Sequence, residues 1–218
     1  MVRFSSDVDI LKYEPILFGE LHLSWQVLAS GHGATLDATT LTDAAADFAS
    51  GGVEAGGVVH LKSADGALDG AYEIVSVDSA TELTVSVVRA DAADDAVAPP
   101  QGSDISYRIT TFAPQATEAA RELTEHFGLR PGDPGSEIGV ENILDTEVLR
   151  RVSTFSVIAR VFAMWAGHCD SQSLWSKSVH YRRLFEKARQ RCRLTIDLGH
   201  DGVPDIVRIG GAIKLVRD

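Results

Sequence analysis

The chain has 218 residues, enough for one ordinary core or two small ones, with 44% hydrophobic residues and a formal net charge of -11. No apolar run approaches the ~20 residues that cross a bilayer, and two cysteines, Cys169 and Cys192, do not make a disulfide framework. The charge is uneven: residues 31 to 111 hold thirteen acids against three basic residues, while residues 112 to 198 hold eleven against twelve, so the first stretch disfavours nonspecific contact with nucleic acid.

In chain order, residues 1 to 18 carry Asp7, Asp9, Ile10, Leu11 and Phe18, with Pro15 limiting any helix to a short piece. This stretch is too apolar to float, and the expectation is that it packs on helices supplied later. The N-terminal Met-Val-Arg-Phe-Ser-Ser-Asp lacks the apolar core of a signal peptide, which suggests a product made and kept in the cytoplasm unless a particle carries it out.

Residues 19 to 111 read as strands. Leu21, Leu23, Trp25 and Val27 alternate with polar residues, Val58 to Leu61 precede an Asp65-Gly66 turn, and Tyr72 to Val77 pairs with Glu82 to Val88 across residues 78–81. Ile105, Tyr107 and Ile109 form a last strand. Short strands with glycine-rich turns predict a small closed antiparallel barrel, since closure removes exposed edges. Ala90 to Gln101, rich in Ala and Asp and ending near Pro99-Pro100, reads as a flexible loop.

Residues 112 to 198 read as helical. Pro114 suits a first turn, Ala116, Ala119, Ala120, Leu123 and Phe127 give one face, and Gly128 ends it. Residues 130–139 form a linker. Two long helices then span about Glu141 to Thr195, broken at Gly167-His168-Cys169-Asp170, with Asp170 as the cap of the second. Their seams are Leu144, Val148, Val152, Phe155, Ala159, Phe162 and Ala166, and Leu174, Ser178, Tyr181, Phe185, Ala188 and Cys192. The second helix is cationic away from its seam, with Lys177, Arg182, Arg183, Lys187, Arg189 and Arg191, then Arg193, against Glu186. Residues 199 to 218 form a contact tail in which Ile206 to Ile209 turns back through Gly210-Gly211 onto residues 212–216.

No constellation points to catalysis. His168-Cys169-Asp170 are adjacent, and neighbouring residues at a helix end do not aim at one centre. Asp197, His200, Asp201 and Asp205 lack the order of a calcium loop, and the glycine pairs at 51–52 and 56–57 lack the Lys-Ser/Thr of a phosphate loop. The reading is noncatalytic, with no metal or cofactor. The competing readings are a metal-assisted hydrolase built on those four residues and a nucleic-acid-binding module using Lys177, Arg182, Arg183, Lys187, Arg189 and Arg193.

The short N-terminal element with Asp7, Asp9 and Pro15, the helical hairpin, the stretch from Trp175 to Glu186 and the terminus Lys214-Leu215-Val216-Arg217-Asp218 resemble the head-to-tail adaptor, or connector, proteins of tailed bacteriophages and related gene-transfer particles. Residues 47–59, 70–77 and 81–85 are similar to small β modules of phage structural proteins. The resemblance implies an α+β fold: a helical-hairpin adaptor core with an inserted small antiparallel β-barrel and a C-terminal hairpin or extended tail. It further implies a virion component at the head-tail interface, a homo-oligomeric ring, usually of twelve copies, that binds the portal protein on one side and a neck or tail-completion protein on the other. DNA would pass through without sequence-specific binding, and no membrane is involved. Portal docking maps onto Ile206, Val207, Ile209, Ile213, Leu215, Val216 and Arg217. The cationic helix would meet a neighbouring subunit or nucleic acid; the alternative within the same resemblance is another neck or tail-completion protein.

Overall fold

The computed structural model describes residues 2–19, 21–129 and 138–210 as a mixed α+β chain. It divides into two compact units, Ser6–Phe112 and a second made of Met1–Ser5 with Ala113–Asp218.

The unit beginning at Ser6 opens with α1 (Asp7–Leu11) and α2 (Ile16–Gly19), which follows Pro15. Ser6 caps α1 reciprocally: its hydroxyl accepts from the Asp9 amide at 3.4 Å, and the Asp9 carboxylate accepts from the Ser6 amide at 2.8 Å. Then come β1 (Val27–Asp37), β2 (Thr40–Thr42), β3 (Val58–Ser63), β4 (Asp69–Val77), β5 (Glu82–Ser86) and β6 (Gly102–Thr110). They close into a six-stranded barrel in the order β1-β2-β5-β4-β3-β6, every pair antiparallel. Alternation sets its inside. Val59 and Leu61 of β3 face the core with Ile74, Leu83, Val85, Ile105, Tyr107 and Ile109, and each fully buried aliphatic stabilises by about 1.5–3 kcal/mol.

Three expectations meet a different arrangement in this unit. Ser24–Gln26 is a 3-10 turn rather than strand, and Trp25 is 56% exposed. Buried Gln26 accounts for the turn: its side-chain oxygen accepts from the Leu23 amide at 2.8 Å, and its carbonyl accepts from Thr111 at 2.9 Å. The residues after Ser5 group with the barrel rather than with the helices. Val8 donates to the Gly56 carbonyl at 3.1 Å, the Phe112 amide donates to Asp7 Oδ1 at 2.8 Å, and Phe18 meets Phe112 edge-on at 5.2 Å. Finally, the segment after β5 is braced. The Arg89 guanidinium donates to Glu73 at 2.7 Å and to the carbonyls of Ala92 and Asp94 at 2.9 and 2.7 Å, and Val97 donates to Ser86 Oγ at 2.8 Å.

The other unit contains α3 (Ala113–His126), α4 (Glu147–Cys169), α5 (Gln172–Arg191), β7 (Arg193–Ile196) and β8 (Ile206–Ile209). α3 buries Ala116, Ala119, Ala120 and Leu123, and the chain leaves it through Gly128 at φ 65, a left-handed conformation that glycine adopts without strain. Helices α4 and α5 run back along each other. Cys192 Sγ lies 3.8 Å from the Val148 carbonyl, the Tyr181 ring sits 6.0 Å from Phe155 and 6.1 Å from Phe162, and Ser178 Oγ donates to Ala159 at 2.9 Å. Ser5, from before the barrel, reaches α4 through Ser153 at 2.8 Å.

The helix ends also depart from expectation. Asp170 takes the left-handed conformation at the end of α4 (φ 47, ψ 46), and Ser171 is the residue that caps α5, accepting from the Leu174 amide at 3.5 Å. Leu144 lies ahead of α4 and is exposed. Residues 193–196 are strand, because buried Leu194 and Ile196 alternate with Arg193 and Thr195, a period of two. That strand is the partner of β8, with Arg193 opposite Ile209 and Ile196 opposite Ile206. The expected return strand at 212–216 lies outside the described residues.

A candidate docking groove between two helices

The cations of α5 do not act as one face. Arg182, Glu186 and Arg189 fall on one flank, where they join Glu122 of α3 and Arg160 of α4 around a cavity of about 280 Å³. Each cation there has an acidic partner, Glu122 being shared by two. Arg182 lies 3.5 Å from Glu186, Arg189 lies 3.9 Å from Glu122, and Arg160 pairs with the same Glu122. The Arg189 guanidinium also rests on the Phe185 ring at 5.0 Å, and the Lys177 ammonium on Phe162 at 4.9 Å. Arg183 is exposed and lines neither cavity.

The opposite flank is different. A groove of about 490 Å³ runs between α4 and α5, with Val148, Val152, Leu184 and Ala188 in its walls and Arg151, Lys187, Arg191 and Arg193 around it. Among the described residues, four cations line it and no acid does. Like charges gathered without a counter-charge repel one another, so the groove favours an anionic occupant, and its apolar walls favour one that also brings aliphatic surface. Cys192 also lines the groove, and burial pushes its thiol above the ordinary value, the state of an inert packing thiol rather than a nucleophile.

Of the residues expected to make contacts, the groove therefore brings together Lys187 and Arg193, while Arg182 and Arg189 are held in pairs on the other flank. Sequence reasoning missed Arg151 of α4 and its convergence with Arg191. The available signal was position: Arg151 stands beside Val152, at the border of the α4 seam, where a long side chain reaches the next helix.

On β8, Val207 is 41% and Ile209 58% exposed, whereas Arg208 between them donates to the Phe127 carbonyl at the end of α3. His126 lies 3.0 Å from the Gly210 carbonyl. The strand is thus fixed by its inner residues while Val207 and Ile209 face outward. Ile206, paired with Ile196, is partly buried. Ile213, Leu215, Val216 and Arg217 lie outside the described residues.

The acids near 197–205 serve the backbone. Asp197 accepts from Gly202 at 2.7 Å and Asp201 at 3.4 Å, and Asp205 accepts from Leu198 at 2.7 Å and Gly199 at 3.3 Å. Burial acts to raise the Asp197 carboxyl, but the amides of Gly202, Asp201 and His200, with the charge of His200, outweigh it and hold it below the usual range. Among the described residues, no group of three or more His, Cys, Asp or Glu side chains is placed to hold a metal ion. His168 meets Trp165 edge-on at 5.4 Å, a packing role. No helix among the described residues is long and apolar enough to cross a membrane.

Compared with protein-family models, curated proteins and solved structures, the chain has no significant match. The groove, the outward residues of β8 and the charges of the two units are what the functional reading rests on.

Proposed function

We propose that the chain is a noncatalytic structural adaptor, forming a ring between the portal and the tail or neck of a phage-like particle. One observation carries the reading. The unit that holds the cationic groove, whose described lining residues include no acid, has sixteen basic residues against fourteen acids, net +2, while the other has seventeen acids against four basic residues, net -13. A ring needs two different, complementary patches on every copy, and opposite charge on two separate units supplies them. The resemblance of the N-terminal element, the α5 sequence and the terminus to head-tail connectors supports the same role. The proposed ring has about twelve copies, resides at the head-tail interface of the virion, and passes DNA without reading its sequence.

Portal docking falls to the segment from Ile206 onward. Val207 and Ile209 offer alternating apolar side chains on a short strand whose inner side is already anchored. Deleting residues 206–218 is expected to abolish co-purification with the portal while the far-ultraviolet circular dichroism of the helices persists. Docking at unchanged affinity would reject this assignment of the tail.

A further inference from the structure

The loop that follows β5 presents three acids, Asp91, Asp94 and Asp95, together with Val87 and Val97, which are 42% and 56% exposed. It is held in one shape. Besides the four bonds given above, the Arg89 amide donates to Glu73 Oε2 at 3.1 Å and the Val87 amide donates to the Val97 carbonyl at 2.9 Å, closing the loop at its neck. The Arg89 and Glu73 side chains are only 8% and 6% exposed, so the brace is buried. A segment already ordered loses little entropy on docking.

From this match we infer that the α4–α5 groove receives the 87–97 loop of a second copy of this chain. The inference rests on the ring reading and names its head-to-tail contact. Three carboxylates meet Arg151, Lys187, Arg191 and Arg193, and the two valines meet Val148, Val152, Leu184 and Ala188. The two surfaces belong to different units and are not self-complementary, so each copy offers both a groove and a loop and the contact repeats from copy to copy. Nucleic acid fits the same groove less well. Phe155, the one aromatic side chain among its described lining residues, is 2% exposed beneath the Arg151 guanidinium at 5.3 Å, which leaves no ring there for a base to stack on.

The test is a charge-swap cycle on the full chain, followed by sedimentation velocity at low salt, alone and with the candidate portal. The variants Lys187→Glu/Arg191→Glu and Asp94→Lys/Asp95→Lys are each expected to weaken self-association about ten-fold or more, and the chain carrying all four changes to recover most of the loss. Recovery also shows that neither pair of changes acted by unfolding the protein. A wild-type ring left intact by the groove variant overturns the inference and leaves the ring reading standing. A wild type that stays monomeric alone and on the portal overturns both. Loss in the groove variant without loss in the loop variant, or without recovery in the combined one, overturns it in favour of an acidic segment of another protein. If the groove variant instead loses salt-dependent binding to duplex DNA while assembly is unchanged, the occupant is nucleic acid and the inference falls.

Discussion

Tyr107 shows how closely single residues are fitted inside the barrel. Its hydroxyl donates to Asp43 Oδ2 at 2.8 Å, and burial first, then that bond and the carboxylate charge, raise the phenol above its ordinary value. Gly31 lies opposite it on β1, and a Cβ there would stand 2.5 Å from Tyr107 Cε1 and 2.7 Å from both the Tyr107 hydroxyl and Asp43 Oδ2. Gly31→Ala is therefore expected to cost about 1–3 kcal/mol. The readout is a lower denaturant midpoint at unchanged slope, and an unchanged midpoint would contradict the fit. A second residue-scale effect concerns pH. Burial, then Arg108 and His60, lower the pKa of His22; burial lowers that of His60 as well, opposed by Asp69 at 3.5 Å and reinforced by Arg108 and Lys62. With folded values below 6.5, the unfolded chain takes up these protons first. Their contribution to stability is full above about pH 6.5 and is lost as pH falls through the folded values. Urea unfolding at pH 7.5 and 5 should show a smaller loss for His60→Gln than for wild type.

At the scale of elements, the Arg89 brace decides whether the 87–97 loop is an ordered surface. Arg89→Ala leaves Glu73 buried without its partner, at a cost of roughly 3 kcal/mol. It should also speed hydrogen exchange at the Val97 amide far more than at the Val59 amide, and equal protection of both would show that the brace is dispensable. Nothing local in the sequence reveals this, because Glu73 and Arg89 meet only once β4 and β5 are paired; composition alone reads as a flexible loop. The barrel strands with strict alternation, such as Val59/Leu61 and Ile105/Tyr107/Ile109, were legible because a period of two survives in sequence. The alternation through Trp25 predicts strand, but the chain there turns because buried Gln26 accepts from the Leu23 amide. Ile196 falls on the helical spacing that runs to Cys192, but Leu194 does not, and both belong to β7, whose partner β8 begins ten residues further along. The candidate site was half legible: Lys187 and Arg193 stood out by charge, but their separation from Arg182 and Arg189 depends on where Glu122 and Arg160 arrive from other helices.

Across the whole molecule, charge is segregated by unit, -13 against +2, and the one acid-free cationic groove among those described lies in the less acidic unit. Segregation of this kind speeds and orients association between copies, and salt weakens it. The central claim is self-assembly into a closed ring at the portal. Electron microscopy of the purified chain, alone and mixed with its candidate portal, tests that most directly through particle mass and symmetry. The account expects a closed ring of about twelve copies, formed alone or on the portal. A monomer or small dimer under both conditions would contradict it.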